Sequence, residues 1–390
     1  MKVTLAKNAG FCFGVKRAVD MVYEEAEHGN NVYVLIKTKD ILEELLQNSK
    51  IPYHNILPIA HRKNKLGILW DMFVRVWRMM RFFQNYKIDL ITGSTPEVAH
   101  VGKLTGCHSV NTGEDDLDVV PLFQKIAGPF LKCLLIPDIC NVGTCESKAV
   151  HYPSYHELAY LHPNHFTADK TIVESYGIDT SKTYFILRFA SLNAHHDDGI
   201  KGINTEIAQR LVDVLSPHGQ IYITSERELE PQFEPYRIRI NPLDMHHVMA
   251  FASLYIGDSQ TMAAEAGVLG IPFVRFNDFV GRIGYLRELE DVYQLGYGIH
   301  ATPLIEDSPI RRADGALQPS GTQVLYDAVE QLVAMPADER KALYAARREK
   351  MLSEKIDYAK YLTWFIENYP DSQQQTRENQ ENTAFWEQFK

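Results

Sequence analysis

Apolar and polar positions along this chain follow two rhythms in turn. Short apolar runs suited to strands give way to stretches in which apolar residues recur every three or four positions, as a buried helix face requires. Met1–Ala6 reads as a strand and Val15–Glu25 as a helix behind a glycine-containing loop. Val32–Ile36 is a second strand, Asp40–Gln47 an amphipathic helix, and Ile56–Pro58 continues the rhythm. Leu66–Phe83 carries Trp70, Phe73, Val74 and Trp77 at helical spacing, and Ile88–Ile91 is a strand running into Thr92-Gly93-Ser94-Thr95 before a helix opened by Pro96. Further on, Thr183–Phe189, Thr205–Val214 and Gln220–Thr224 read as strand, helix and strand. Leu254–Ile256 stops abruptly at Gly257-Asp258-Ser259, and a helix follows at once with Ala263, Ala264, Ala266 and Leu269 as helix formers and Gly270 as its stop. Ile271–Phe276 returns as a strand, and the helical stretches Gly321–Ala334, Ala337–Ser353 and Asp357–Asn368 close the pattern.

This alternation predicts an α/β chain, and 390 residues are enough for two domains with separate cores. The expected division is a first Rossmann-like domain over 1–150, an interdomain crossing over 151–180 and a second domain over 181–355. A helix over 356–369 then returns to the first domain, and a polar tail over 370–390 is expected to be frayed. No internal repeat is visible.

Composition is that of a globular protein, with 45% hydrophobic and 23% charged residues. The net charge of −10 argues against nucleic-acid binding, which needs a basic face. Five cysteines without repeated spacing, no signal-peptide pattern and no apolar run of transmembrane length point to reduced thiols in a cytoplasmic protein. Residues 62–87 depart from the acidic background, with Arg62, Lys63, Lys65, Arg75, Arg78, Arg81 and Lys87 around the tryptophans. That helix suits peripheral contact with the inner face of an anionic membrane; alternatively its apolar stripe packs on a sheet and its arginines are solvated. Nothing in the sequence specifies an oligomeric state.

The candidate chemistry gathers where strands end. Gly257-Asp258-Ser259 opens a helix whose free N–H groups and dipole favour a phosphate, with Ser259, Gln260 and Thr261 at the turn and Glu265 one turn on, placed for ribose hydroxyls. An ordinary turn with an N-cap serine explains the same letters. Ser94 and Thr95 lie at a strand's C-terminal end, where open α/β sheets bind ligands. Glu114 begins the acidic run Glu114-Asp115-Asp116, which suits a general base or a metal, while solvated loop carboxylates explain the same letters. His156 and Glu157 sit in the aromatic, histidine-rich HYPSYHELAYLHPNHF and are read as cleft-lining, His156 as a proton shuttle. Arg188 offers a bidentate fork to phosphate, and Asn193, His195 and His196 follow it in one loop, with His195 a further catalytic candidate. Ser225 and Glu226 end the next strand, and His246 precedes the central turn. Cys133, Cys140 and Cys145 fit no zinc spacing, and no metal is expected.

The run from Asn241 to Asp278, NPLDMHHVMAFASLYIGDSQTMAAEAGVLGIPFVRFND, resembles the nucleotide-binding segment of GT-B glycosyltransferases and of non-hydrolysing UDP-N-acetylglucosamine epimerases. Asp258-Ser259, Glu265-Ala266, Leu269-Gly270 and Pro272 match, whereas Gln260-Thr261 replaces a glycine pair. The resemblance implies that the turn and Glu265 hold diphosphate and ribose, and that Arg188 and Asn193 meet phosphate and substrate. With YHELAYLHP and RFASLNAHHD as further marks, about His28 to Tyr369 is similar to a prokaryotic family catalogued as domain of unknown function number 354, itself grouped with GT-B proteins. AGFCFGVKRAV in residues 1–27 resembles instead the start of LytB-type iron–sulfur reductases, which implies Cys12 as a cluster ligand. The two further cysteines such a cluster needs do not occur in LytB-like contexts.

The expectation is two Rossmann-like domains facing a cleft, acting as a nucleotide-sugar-dependent glycosyltransferase of surface-polysaccharide or glycolipid synthesis. The sugar nucleotide, UDP-linked by the resemblance, is substrate, and no cofactor is required. An epimerase, a binding protein without catalysis and, most remotely, a LytB-type reductase are the alternatives.

Overall fold

A computed structural model describes residues 2–7, 31–37, 42–58, 65–190 and 201–390 of the chain. They form two compact units, Met1–His165 with Lys355–Lys390, and Phe166–Glu354.

The first unit is built on a seven-stranded sheet in the order β3-β2-β1-β4-β5-β6-β7, in which every pairing is parallel. Its strands are β1 (Lys2–Lys7), β2 (Asn31–Lys37), β3 (Tyr53–Leu57), β4 (Leu90–Gly93), β5 (His108–Thr112), β6 (Cys133–Pro137) and β7 (Ala149–Tyr152). β1 pairs with both β2 and β4, so the LytB-like beginning of the chain supplies an inner strand of the sheet. Order reverses between β1 and β4, the switch point at which such sheets bind ligands. Intervening helices include α1 (Leu42–Asn48), α2 (Lys65–Tyr86), α3 (Pro96–Thr105) and α4 (Pro121–Ala127). Met79 and Phe83 of α2 pack with Leu35, Ile91, Val98 and Val101. Of the two readings of the α2 apolar stripe, packing on the sheet does not hold for Trp70, Phe73 and Trp77, which are exposed.

Residues 151–165, read from the sequence as an interdomain crossing, belong to this unit. His151 and Tyr152 complete β7, and Tyr155, Leu158, Tyr160 and Leu161 are buried. Ser154 Oγ donates to the Ile356 carbonyl, and His165 Nε2 lies 2.8 Å from Asp357 Oδ1, so the outgoing and returning chains are tied together.

The second unit has a five-stranded parallel sheet, β12-β11-β10-β8-β9. It runs α5 (Lys170–Ser175), β8 (Tyr184–Phe189), α6 (Thr205–Leu215), β9 (Gln220–Ser225), α7 (Met245–Ala250), β10 (Leu254–Gly257), α8 (Gln260–Val268), β11 (Phe273–Phe276), α9 (Gly284–Arg287) and β12 (Gly296–Ile299). The helices α10 (Thr322–Ala334) and α11 (Ala337–Glu354) follow. Gly270, at φ 80°, ends the α8 segment in the left-handed conformation that glycine adopts without strain.

The tail departs from expectation. α12 (Tyr358–Glu367) is followed by α13 (Asp371–Glu378) and α14 (Thr383–Glu387). Polar composition concealed two anchors. Trp386 and Phe389 are buried against Tyr361 and Trp364, and the Arg377 guanidinium donates to the carbonyls of Ser147 and Ala149 beside β7.

Candidate functional site

In the second unit the strand order reverses between β8 and β10, with Arg188 next to the last residue of β8 and Asp258 just past the end of β10. Arg188, near the end of β8, lies opposite Gly257 of β10 on one side and Thr224 of β9 on the other. Its guanidinium is buried and ion-paired to Glu226, with Nη2 2.5 Å from Oε1. Gly257 permits this packing, because a Cβ there would stand 2.6 Å from the Tyr255 hydroxyl and 2.8 Å from the Arg188 carbonyl.

Asp258 organises the surrounding loops. Its Oδ1 accepts from Ala190 N–H at 2.6 Å and its Oδ2 from Ile203 N–H at 3.3 Å. One carboxylate thus holds the backbone of both Ala190 and Ile203. Burial pushes the Asp258 carboxyl up to about 6, against the opposing pull of those N–H donors. Asp278 repeats the device from β11, accepting from Lys201 N–H at 2.9 Å and Thr302 N–H at 2.8 Å. Asn277 donates to the Asp258 carbonyl at 2.8 Å. Asn193, His195 and His196 lie outside the described residues.

Ser259 is the N-cap of α8, its Oγ accepting from Met262 N–H at 3.5 Å. Ser259, Gln260 and Thr261 are all half-buried. The Gln260 side chain turns back toward the sheet, where Oε1 accepts from Arg275 Nη1 at 2.8 Å. Arg275 is fully buried and its Nε donates to Glu290 at 2.9 Å. The residue standing in place of a glycine therefore has its side chain held on the sheet side of the turn. Glu265, expected to stand open for ribose, is buried, with Oε1 2.8 Å from Nε2 of His246. His246 comes from α7, so the two expected site residues are each other's partners. Ser225 Oγ is engaged locally with Arg227, whose guanidinium stacks on Phe189 and donates to the Ile203 carbonyl.

In the first unit a second group assembles at the C-terminal ends of β5, β6 and β7. The Glu114 carboxylate is ion-paired to Nδ1 of His156. His156 is almost wholly buried, its ring stacked on Tyr358 at 5.0 Å, whereas Glu114 retains solvent access. Cys140 Sγ donates to the Glu114 carbonyl at 3.0 Å, and Asp116 accepts from Asn141 N–H at 2.9 Å. Glu157 is fully buried. Ser94 is exposed, and Thr95 is the N-cap residue of α3, with its carbonyl accepting from Asn111 at 3.0 Å. The arrangement sets an accessible carboxylate on a buried imidazole, a pair able to take up and hold a proton.

Cys107, Cys133, Cys140 and Cys145, the described cysteines, are free thiols. Burial pushes the Cys133 thiol up to about 12, and burial reinforced by Asp116, Asp115, Glu114 and Asp138 raises Cys140 well above the usual thiol range. Among the described residues no three His, Cys, Asp or Glu side chains converge on a metal position. Cys12 lies outside the described residues.

Sequence reasoning passed over Asp258, Asn277 and Asp278 as site builders, and Arg275 with them. The signal for three of these was present, since all stand where an apolar strand breaks into polar residues. Arg275 lies inside an apolar strand and gave none.

Known proteins resemble the start of this chain and its whole length differently. Residues 3–53 match the family model for LytB protein, beyond the span over which AGFCFGVKRAV alone shows the likeness. Two 4-hydroxy-3-methylbut-2-enyl diphosphate reductases are similar over the same region. That of Geobacter sp. (strain M21) is 41% identical over 59 residues, 14% of this chain and 21% of that protein. That of Geotalea uraniireducens (strain Rf4) is 63% identical over 35 residues, 9% of this chain and 12% of that protein. The chain thus spans about a fifth or less of these reductases. Solved structures are similar over nearly its whole length. An S. aureus MnaA–UDP co-structure has a TM-score of 0.62 at 13% identity, covering 95% of this chain and 97% of that one. UDP-GlcNAc 2-epimerase from Neisseria meningitidis, bound to UDP-GlcNAc, has 0.60 at 14%, covering 94% and 98%. The glycotransferase of kitacinnamycin has 0.58 at 8%, covering 94% and 98%. At such identities the likeness shows the fold: two Rossmann-like α/β domains of the GT-B kind. The number-354 resemblance rests on the sequence motifs alone.

Proposed function

We propose that the second unit binds a nucleotide sugar and that the protein is a glycosyltransferase-like enzyme of surface-polysaccharide or glycolipid synthesis. The observation that carries this reading is the meeting of Arg188 with the Gly257–Thr261 turn where the order of the parallel strands reverses. A cation and a helix N-terminus there suit a diphosphate, and both act on the charge that develops on it as the glycosidic bond to the leaving group breaks. Glu265, steadied by His246, would receive the ribose hydroxyls through its second oxygen. For Arg188 to meet phosphate, the anion must compete with Glu226.

On the first unit, the Glu114–His156 pair is the proposed base for an acceptor hydroxyl. Glu114 takes the proton, and His156, packed on Tyr358, holds the carboxylate in one orientation. The same pair, with Asp116 and Asp138 on neighbouring loops, favours epimerisation as the second reading, in which a proton is removed from the sugar and returned without an acceptor.

The test is a calorimetric titration with UDP, GDP, TDP and CMP, repeated on Glu265→Ala. One nucleotide should bind, UDP by the motif resemblance, and the variant should bind it about tenfold or more weakly, a loss of about 1.4 kcal/mol. An unchanged melting temperature in the variant separates lost contact from lost fold. Binding of none of the four removes the donor-site assignment.

A further inference from the structure

Helix α2 buries Met79 and Phe83 in the core but turns a second apolar stripe outward. Its inward positions include Asp71 and Arg75, both buried, with Arg75 Nε donating to Glu97 of α3 at 2.8 Å. Four of its outward positions are apolar: Leu69 is 50% exposed, Trp70 55%, Phe73 62% and Trp77 49%. These four recur at the three-to-four-residue spacing of one helical face, and Trp70 and Phe73 rings lie 5.9 Å apart, so they form one stripe. Isolated exposed apolar residues are normal, but a contiguous aromatic stripe on a helix marks a surface that something covers.

The charges on the helix indicate what covers it. α2 carries Lys65, Arg75, Arg78 and Arg81 against Asp71 alone, in a chain of net charge −10. Asp71 and Arg75 are buried. Arg78 donates to the Ile56 carbonyl at 2.8 Å and is half-buried, and Arg81 stands exposed over the Trp77 ring, 5.0 Å from its centroid. The outward face therefore presents tryptophan, phenylalanine and leucine with a cationic end and no acidic side chain among its described residues. An anionic bilayer surface supplies both what the stripe needs and what its charge needs: an apolar boundary for the rings and phosphate for the guanidinium. No helix among the described residues is long and apolar enough to cross a membrane, so this face would lie along the surface.

We infer that α2 docks the protein, through Leu69, Trp70, Phe73, Trp77 and Arg81, on a phospholipid surface bearing anionic headgroups. The inference goes beyond the nucleotide-sugar reading and stands or falls separately from it. The acceptor for such an enzyme would then be presented at the membrane.

The experiment is flotation of the full chain with vesicles of phosphatidylglycerol and phosphatidylcholine, and with phosphatidylcholine alone. The wild type should float with the anionic vesicles and shift its tryptophan emission to the blue, with binding weakened by added salt. Trp70→Glu combined with Trp77→Glu should cut the bound fraction at least tenfold while leaving melting temperature and nucleotide titration unchanged. Leu122→Glu, at another exposed apolar position (63% exposed) on α4, should float as the wild type does. Failure of the wild type to float, equal binding to neutral vesicles, or equal binding by the double variant would overturn the inference. So would light scattering that shows a dimer which the double variant dissociates, because the covering partner would then be a second copy.

Discussion

Asp258 makes the reasoning about the second unit measurable. Its carboxylate is buried at the end of β10, bonded to the N–H groups of Ala190 and Ile203. Burial raises its pKa from 3.8 to about 6. A carboxyl with a raised folded-state pKa binds protons more tightly folded than unfolded, so folding pulls a proton on between those two values. Its ionisation therefore costs stability, and the cost grows as pH rises through that window and levels off above about 6. The full cost is about 3 kcal/mol, and the part falling between pH 5 and pH 7 is about 1.3 kcal/mol. Asp258→Asn keeps the shape and one acceptor oxygen but removes the titration. Urea unfolding of both proteins at pH 5, 6 and 7 gives the difference, in which other titrating groups largely cancel. The wild type should lose about 1.3 kcal/mol relative to the variant between pH 5 and pH 7. Parallel profiles would refute the argument, and a wild type that gains on the variant as pH rises would reverse its sign, showing that the N–H donors outweigh burial.

Two further outcomes follow from named contacts. Glu226→Gln removes the carboxylate that occupies Arg188, and nucleotide affinity by calorimetry should rise about tenfold, about 1.4 kcal/mol; unchanged affinity would mean that Arg188 does not meet phosphate. For Asp357, burial alone would raise the carboxyl, but hydrogen bonds from His165, Lys360 N–H and Asn164 hold it below its ordinary value. That stabilisation is present above about 3.8 and is lost as pH falls through the lower folded-state value. Asp357→Asn should thus cost about 1–3 kcal/mol at pH 7, and in urea unfolding the deficit should shrink below pH 3.8; a deficit independent of pH would show that the charge is not what matters.

Most of the elements were legible from the chain alone. The break at Gly257-Asp258-Ser259, the N-cap at Ser259 and the stop at Gly270 depend on neighbours a few residues away, and local backbone chemistry decides them. The alternation of strands and helices likewise announced the fold class, and Arg188 and Ser259 could be named as candidate site residues because they stand where strands end. Tertiary structure decided who meets whom. Glu265 and His246 are 19 residues apart, yet α7 and α8 bury them together. Glu114 and His156 are separated by 42 residues, and only the placing of β5 beside β6 and β7 makes them a pair. The outward tryptophans of α2 and the buried Trp386 of the tail show the same division. Helical spacing tells which residues share a face, but whether that face is covered depends on elements packed against it from far along the chain. Pairing, burial and the raised pKa of Asp258 are properties of the environment, and the environment is assembled by long-range contacts that no local pattern encodes.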